Sequence, residues 1–213
     1  MSERVRRISI PRARLRPWLD GFATRHGQTT ATQVDNEVIM DAADGARAWI
    51  EIPFAPVPLD PADPAAHLIT HVDTDRRVGV ILLRKGGYAV GIFQGEKLIT
   101  SKVGSSYVQG KTKAGGWSQQ RYARRRDNQS KKAYAEAAEQ AVRIIAPAAS
   151  DLEAVINGGD APAVALVLED DRLASIRHLV HNRVLPVPDP RLRVLQAFPE
   201  QFLAISIDLN DRA

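Results

Sequence analysis

The sequence predicts an α+β (α/β) chain in which helices pack on a mixed β-sheet, preceded by a small N-terminal α+β part. Three observations carry this. Three strand-like runs between residues 77 and 108 follow one another through short glycine turns. A long Ala, Arg, Lys, Glu and Gln-rich stretch comes next, from Ser118 to Ile145, and strand-like and helix-like segments then alternate toward the end. Five prolines between Pro53 and Pro64 separate all of this from what comes before.

Composition sets the outer bounds. The chain has 213 residues, enough for a substantial hydrophobic core. Hydrophobic residues make up 44% and charged residues 25%, ordinary for a globular chain. No apolar run approaches the roughly 18 residues a membrane helix needs, so no membrane partner is expected. Cysteine is absent, which excludes a disulfide scaffold, Cys-ligated zinc, an iron–sulfur cluster and a thiol nucleophile. A cytoplasmic protein is expected, with a monomer as the default.

In order along the chain, Val5, Ile8 and Ile10 alternate as a strand would. A helix follows from Pro11 to about His26, with Leu15, Trp18, Leu19 and Phe22 at helical spacing. Pro17 inside that span moves the true start later, and Gly27 ends it. Val34 to Met40 and Ala46 to Ile52 read as two strands joined through Asp44-Gly45. Trp18, Trp49 and Phe54 are expected in the core of this part. The prolines mark a stiff linker, so the boundaries are 1–57 for the N-terminal α+β region, 58–69 for the linker and 70–213 for the second domain. Arg77 to Arg84, Tyr88 to Phe93 and Lys97 to Val108 form a meander through Gly86-Gly87 and Gln94-Gly95-Glu96. Residues 109–117 lack periodicity and read as a loop. The helix from Ser118 (its expected N-cap) to Ile145 is stopped by Pro147. Ala163 to Leu168 reads as a buried strand, Asp170 or Asp171 caps a short helix through His181, and Phe202 to Leu209 makes the last strand.

Charge is distributed unevenly. The formal net charge is +4, yet Lys111 to Lys132 holds eight cations against Asp127, a net of +7 that leaves the remainder at −3. A solvated helix face explains scattered charges. Cations this dense beside a glycine pair instead repel one another unless a polyanion is present, which points to nucleic acid. A smaller cluster, Arg4, Arg6, Arg7, Arg12, Arg14 and Arg16, opens the chain; the alternation around it favours a folded start over a targeting segment.

The segment Lys113-Ala114-Gly115-Gly116-Trp117-Ser118-Gln119-Gln120-Arg121-Tyr122-Ala123-Arg124-Arg125-Arg126 concentrates the chemistry. Gly115 and Gly116 free the backbone for close approach to a ligand. Lys111, Lys113, Arg121, Arg124, Arg125, Arg126, Lys131 and Lys132 suit phosphates, and a helix start adds free N–H groups. Trp117 suits base stacking, while Gln119 and Gln120 each offer an uncharged donor and acceptor. Read without any relative, the glycines are equally a plain loop and Gln119 a first-turn surface residue.

This run resembles the central domain of archaeal and eukaryotic class-one release factors, which carries Gly-Gly-Gln-Ser and then a helix with Arg-Phe-x-Arg-x-Arg. Gly115, Gly116, Ser118, Arg121, Tyr122, Arg124 and Arg126 align without gaps, and Trp117 takes the place of the family's glutamine. That departure, in Lys-Ala-Gly-Gly-Trp-Ser-Gln-Gln-Arg, resembles the actinobacterial branch of the Vms-type release-factor-like family. The resemblance spans roughly residues 70 to 210 and is sharp from about 110 to 129. It implies a release-factor central-domain-like fold and a peptidyl-tRNA hydrolase of ribosome-associated quality control. The partners implied are the large ribosomal subunit, ribosomal RNA and peptidyl-tRNA, with no cofactor. Gln119, or second Gln120, would carry the catalytic role; Gly115, Gly116, Trp117 and Ser118 would form the loop; the cations would grip RNA. Two other readings stand beside it: a tRNA 3′-end nuclease, and a non-catalytic ribosome-rescue adaptor.

Other clusters have simpler explanations. His178 and His181 have a spacing two metal ligands can use, but no third ligand accompanies them, so no metal site is expected. Glu169-Asp170-Asp171 reads as a turn and helix cap rather than a cation site. No nucleotide-binding glycine motif and no serine nucleophile elbow occurs.

Overall fold

The computed structural model describes residues 3–85, 87–105 and 117–213, and of residues 117–130 the backbone only. The chain divides into two compact units, residues 1–75 with 203–213, and residues 76–202.

The first unit is a five-stranded antiparallel sheet in the order β1-β10-β4-β3-β2. Its strands are β1 (Arg6–Ile10), β2 (Thr29–Val34), β3 (Glu37–Ala42), β4 (Arg47–Glu51) and β10 (Ile205–Leu209). Two helices, α1 (Leu15–His26) and α2 (Pro64–Asp73), supply Leu15, Leu19, Phe22, Leu68, Ile69 and Val72 to a core closed by Val38, Met40, Ile50, Ile205 and Ile207 of the sheet. α1 starts after a 3₁₀ turn at Arg12–Arg14 and ends at Gly27, whose φ of 78° suits glycine. The opposite sheet face carries one cross-strand row, Arg7, Asp208, Trp49, Ile39 and Thr32. Trp49 is buried in it, Trp18 and Phe54 only partly so.

Three expectations change here. Thr29–Val34 is an additional strand, reached through a turn at Asp35, where φ is 51°. The proline-rich stretch gives way to α2 at Pro64, inside the expected linker. The Asp63 carboxylate caps it by accepting from the Ala66 N–H at 3.0 Å, and Pro64 fits the first helical position. The Gln33 side chain holds the preceding loop: its amide donates to the Val57 carbonyl (2.7 Å) and accepts from the Leu59 N–H (2.7 Å). The last strand, expected beside the second-domain strands, instead lies between β1 and β4. The structural division therefore falls at residues 75/76 and 202/203 rather than at 69/70.

The second unit holds a mixed sheet in the order β7-β6-β5-β8-β9, as the sequence predicts in kind. β5 (Arg77–Arg84), β6 (Gly87–Gln94) and β7 (Lys97–Ser105) form the expected antiparallel meander. β8 (Ala154–Gly159) and β9 (Val180–Leu185) extend it in parallel. α3 (Trp117–Ile144) and α4 (Ala161–Leu168) cover one face, meeting Ile81, Leu83, Tyr88, Val90 and Val155 in one core. α5 (Leu192–Ala197) and α6 (Pro199–Phe202) follow, and Phe202 packs edge-on against Phe93 of β6 and Phe198. Ala163–Leu168, expected as a strand, is helical. A short apolar run has no decisive period, and its alanines with Pro162 in the first turn favour the helix. The strand lies just before it, as β8. α3 opens at Trp117, so Ser118 sits within the first turn rather than as its cap.

Candidate functional site

α3 holds the candidate residues, and its C-terminal half shows how it is fixed. Ala133, Ala137, Ala138 and Ala141 are buried against the sheet; side chains this small let the helix lie close. Ile145, one residue past the helix, lies against Gly79 at the start of β5, where a Cβ would meet its Cγ2 at 3.1 Å. Glu136 acts on Tyr88, which faces Leu83 near the end of β5. α3 thus runs opposite to β5. Trp117 to Lys132 adds sixteen residues, about 24 Å of helix, N-terminal to the buried Ala133.

The corner where β7 ends is built without slack. The Tyr88 ring lies on the Gly104 backbone; a Cβ at Gly104 would sit 2.3 Å from its Cε1. Gly87, at φ 154°, is level with Ser105 across the ladder, and a Cβ there would be 2.4 Å from the Gly104 carbonyl oxygen. Burial pushes the Tyr88 phenol above its ordinary range, and the Glu136 carboxylate adds to this. At the end of β8, Gly159 has φ 105° and a Cβ there would be 1.9 Å from the Leu83 carbonyl oxygen. Two glycine-tight corners therefore close this end of the sheet. In the sequence Tyr88 reads only as the start of a strand, and no role falls to Gly104 or Gly159, whose one signal is glycine near a strand end.

The expected site residues divide three ways. Lys111, Lys113, Gly115 and Gly116 lie outside the described residues, as does most of the loop expected at 109–117. Trp117, Ser118, Gln119 and Gln120 form the first turn of α3, with Arg121, Arg124, Arg125 and Arg126 on the next turns. The N–H groups of such a first turn have no carbonyl partner within the helix. Lys131 and Lys132 are exposed, and Lys132 lies 4.0 Å from Glu136 one turn on.

The competing clusters resolve as local structure. Asp170 caps a 3₁₀ helix at Asp171–Leu179, accepting from the Arg172 N–H at 3.0 Å. The Arg172 guanidinium holds its carboxyl down at about 2, and also reaches Glu139 of α3 at 2.8 Å. His178 lies in that 3₁₀ helix and His181 on β9. Among the described residues no three His, Cys, Asp or Glu gather as a metal site, and no helix is long and apolar enough to cross a membrane.

A family model described as the Actinobacteria/chloroflexi VLRF1 release factor matches residues 76–208. The chain belongs to this family. The matched span begins at the boundary of the second unit and includes α3 with the residues before it. A peptide chain release factor subunit 1 from Thermococcus sibiricus is 31% identical over 113 residues, which cover 52% of this chain and 26% of that protein. The VLRF1 family member thus spans about a quarter of this relative's length. Two solved structures, an archaeal translation termination factor and an archaeal protein, superpose with TM-scores of 0.43 and 0.39 at 16% and 14% identity. Each superposition covers 89% of this chain, and 61% and 62% of the respective structures.

Proposed function

We propose that this VLRF1 family member is a cytoplasmic, ribosome-associated peptidyl-tRNA hydrolase that frees nascent chains from stalled large subunits. One observation carries the reading: within the family match, Gly115-Gly116 stands directly before a helix that begins Trp117-Ser118-Gln119-Gln120 and continues into Arg121, Arg124, Arg125 and Arg126. The bond to be cut is an ester between the nascent chain and the tRNA terminal ribose. Esters hydrolyse without a strong side-chain base, provided a water is positioned and the developing oxyanion is stabilised. A neutral carboxamide on a helix's first turn suits both tasks. Its oxygen can accept from the water, and its N–H₂, with backbone N–H groups of the turn, can face the oxyanion. Gln119 takes this role first and Gln120 second. Gly115 and Gly116, with Trp117 and Ser118 at the start of the helix, are the residues that enter the RNA. The cations from Lys111 to Lys132 hold ribosomal RNA or the tRNA acceptor end, and no cofactor takes part.

The test is release of labelled peptide from purified large subunits carrying peptidyl-tRNA, with the tRNA ends sequenced. Wild type is expected to free peptide and leave tRNA ending in its terminal A. Gln119→Ala should lose at least about a hundredfold in rate, the scale for one oxyanion-stabilising donor, while Gln120→Ala loses less. Shortened tRNA would replace hydrolysis by nuclease action. Binding without release would make the protein an adaptor.

A further inference from the structure

The first turn of α3 lies far from what holds the helix. Among the described side chains of α3, Ala133, Ala137, Ala138 and Ala141 are buried. Gln119 lies fourteen residues before Ala133, about 21 Å along the axis. A tilt of about 5° at Ala133 therefore carries the Gln119 backbone about 2 Å. Misplacing a reacting group by about 1 Å costs on the order of a hundredfold in rate. Whatever fixes the helix where it leaves the sheet thus sets the geometry of its first turn.

Tyr88 stands at that place. Along β6, Tyr88, Val90 and Ile92 face α3 and share one buried cluster with Ala137, Ala138 and Ala141. α3 runs opposite to β5 and so along β6, which puts Tyr88 at the end from which residues 117–132 project. Tyr88 is 4% exposed. Burial, and then the Glu136 carboxylate of α3, push its phenol up, which marks how near the helix lies. The ring also bears on β7. A Cβ at Gly104 would be 2.3 Å from Cε1, 2.5 Å from Cζ and 2.7 Å from the hydroxyl oxygen, so the ring has room only because residue 104 carries no side chain. β7 ends one residue later, at Ser105, and α3 opens at Trp117. One ring therefore rests on the strand before residues 106–116 and on the helix after them.

We propose that Tyr88 is a positioning residue: wedged between the Gly104 backbone and the buried face of α3, its ring sets the angle at which the helix leaves the sheet and so where Gln119 stands. The consequence for catalysis rests on the hydrolase reading above; the angle does not. If the ring only filled space, any apolar side chain would serve. If it sets the angle, Phe serves and Leu does not.

The experiment reads angle and rate separately in the full chain. The sequence has no cysteine, so Thr100→Cys with Ala123→Cys takes one pair of spin labels, between β7 and α3. In that background Tyr88→Leu is expected to shift or broaden the label distance by at least about 2 Å, while Tyr88→Phe keeps the wild-type distribution. Gly104→Ala should also shift it, because its Cβ displaces the ring, and should add little once Tyr88 is Leu. Leu82→Ala is the control: Leu82 is buried on β5 between two residues that face α3, so it points to the other face of the sheet. It weakens the core without moving the helix. Tyr88→Met takes the place of Tyr88→Leu if the latter does not fold. Without labels or cysteines, single-turnover release from large subunits carrying peptidyl-tRNA should slow about ten- to a hundredfold in Tyr88→Leu. The subunit concentration for half-maximal rate should stay unchanged, and Tyr88→Phe should match wild type. A wild-type label distance in Tyr88→Leu overturns the proposal, as does an equal shift in Leu82→Ala or in Tyr88→Phe. A shifted helix that releases peptide at the wild-type rate removes its catalytic consequence. If wild type frees no peptide while the distances change as expected, the hydrolase reading falls and the role of Tyr88 in setting the helix stands.

Discussion

Two cation-rich stretches of this chain look alike in sequence and differ in what the fold gives them. At the N-terminus, Arg4 bonds Glu37 at 2.6 and 2.8 Å and Asp208 at 3.1 Å, and Arg7 bonds Asp208 at 2.7 and 2.9 Å. Arg12 pairs with Asp75, and Arg47 with Asp41. Arg4 and Arg47 also stack over Trp49, at 5.1 and 5.8 Å from its ring centre. In the second stretch the exposed Lys131 of α3 forms no ion pair among the described residues, and Lys132 only a 4.0 Å one with Glu136. A run of arginines is therefore no measure of binding capacity. The carboxylate that neutralises Arg4 and Arg7 lies about two hundred residues away in sequence and arrives only when β10 inserts beside β1.

The widest separation between the two regions comes from matched triple variants. Replacing Arg124, Arg125 and Arg126 by Gln should lower subunit affinity on the order of a hundredfold at physiological salt, from three lost phosphate contacts. A phosphate-binding role predicts little cost to folding, so its stability in urea should stay within about 0.5 kcal/mol of wild type. Replacing Arg4, Arg7 and Arg47 by Gln should do the reverse. Subunit affinity should hold while stability falls by about 2–3 kcal/mol, because Asp208 is left nearly buried without a cation. Parallel salt titrations and urea curves decide it. Equal loss of affinity in both would erase the distinction.

A smaller effect comes from the shared carboxylate alone. Hydrogen bonding from Arg7, ahead of the opposing effect of burial, holds the Asp208 carboxyl below the usual range, and Arg4 contributes. A carboxylate whose folded pKa is depressed stabilises fully above its unfolded value, near 3.9, and loses that contribution as pH falls through the folded value. Wild type should therefore lose stability as pH drops below about 4. Asp208→Asn should be about 1–2 kcal/mol weaker at pH 7, with a flatter acid limb. Urea midpoints from pH 3 to 7 read both, and an unchanged acid limb would show that Asp208 contributes nothing.

The same contrast explains what was legible beforehand. β5, β6, β7 and α3 could be read because their apolar runs, glycine turns and helix-forming composition are local signals. β2 was hidden because Thr29–Val34 is a polar edge strand, and Gln33 faces inward only to bond the proline-rich loop. α2 carried its Asp63-Pro64 start signal, but the four prolines just before it masked it. Ala161–Leu168 was ambiguous because burial removes the polar half of any period. β10 was visible as a strand but not in its place, since pairing with β1 and β4 is a non-local choice. The candidate loop was legible as residue types and order.

The smallest effect tests why distance along the chain matters to an ion pair. Arg172 bonds Asp170, two residues away, at 2.9 and 3.0 Å, and Glu139 of α3 at 2.8 Å. Its side chain is half exposed, and solvent screening leaves such a pair worth little. Partners two residues apart also meet in the unfolded chain, so their attraction adds less to folding than the long-range Arg7–Asp208 pair. The cap itself survives truncation, because Asp170 accepts from the backbone N–H of residue 172. Arg172→Ala should therefore leave the urea midpoint within the scatter of repeat measurements. It should instead raise the Asp170 carboxyl from about 2 toward the ordinary range, read by carboxyl NMR titration. A stability loss as large as that of Asp208→Asn would mean that the tie to α3 through Glu139 outweighs the local pair, and that the C-terminal half of α3 is held by charge as well as by its buried alanines.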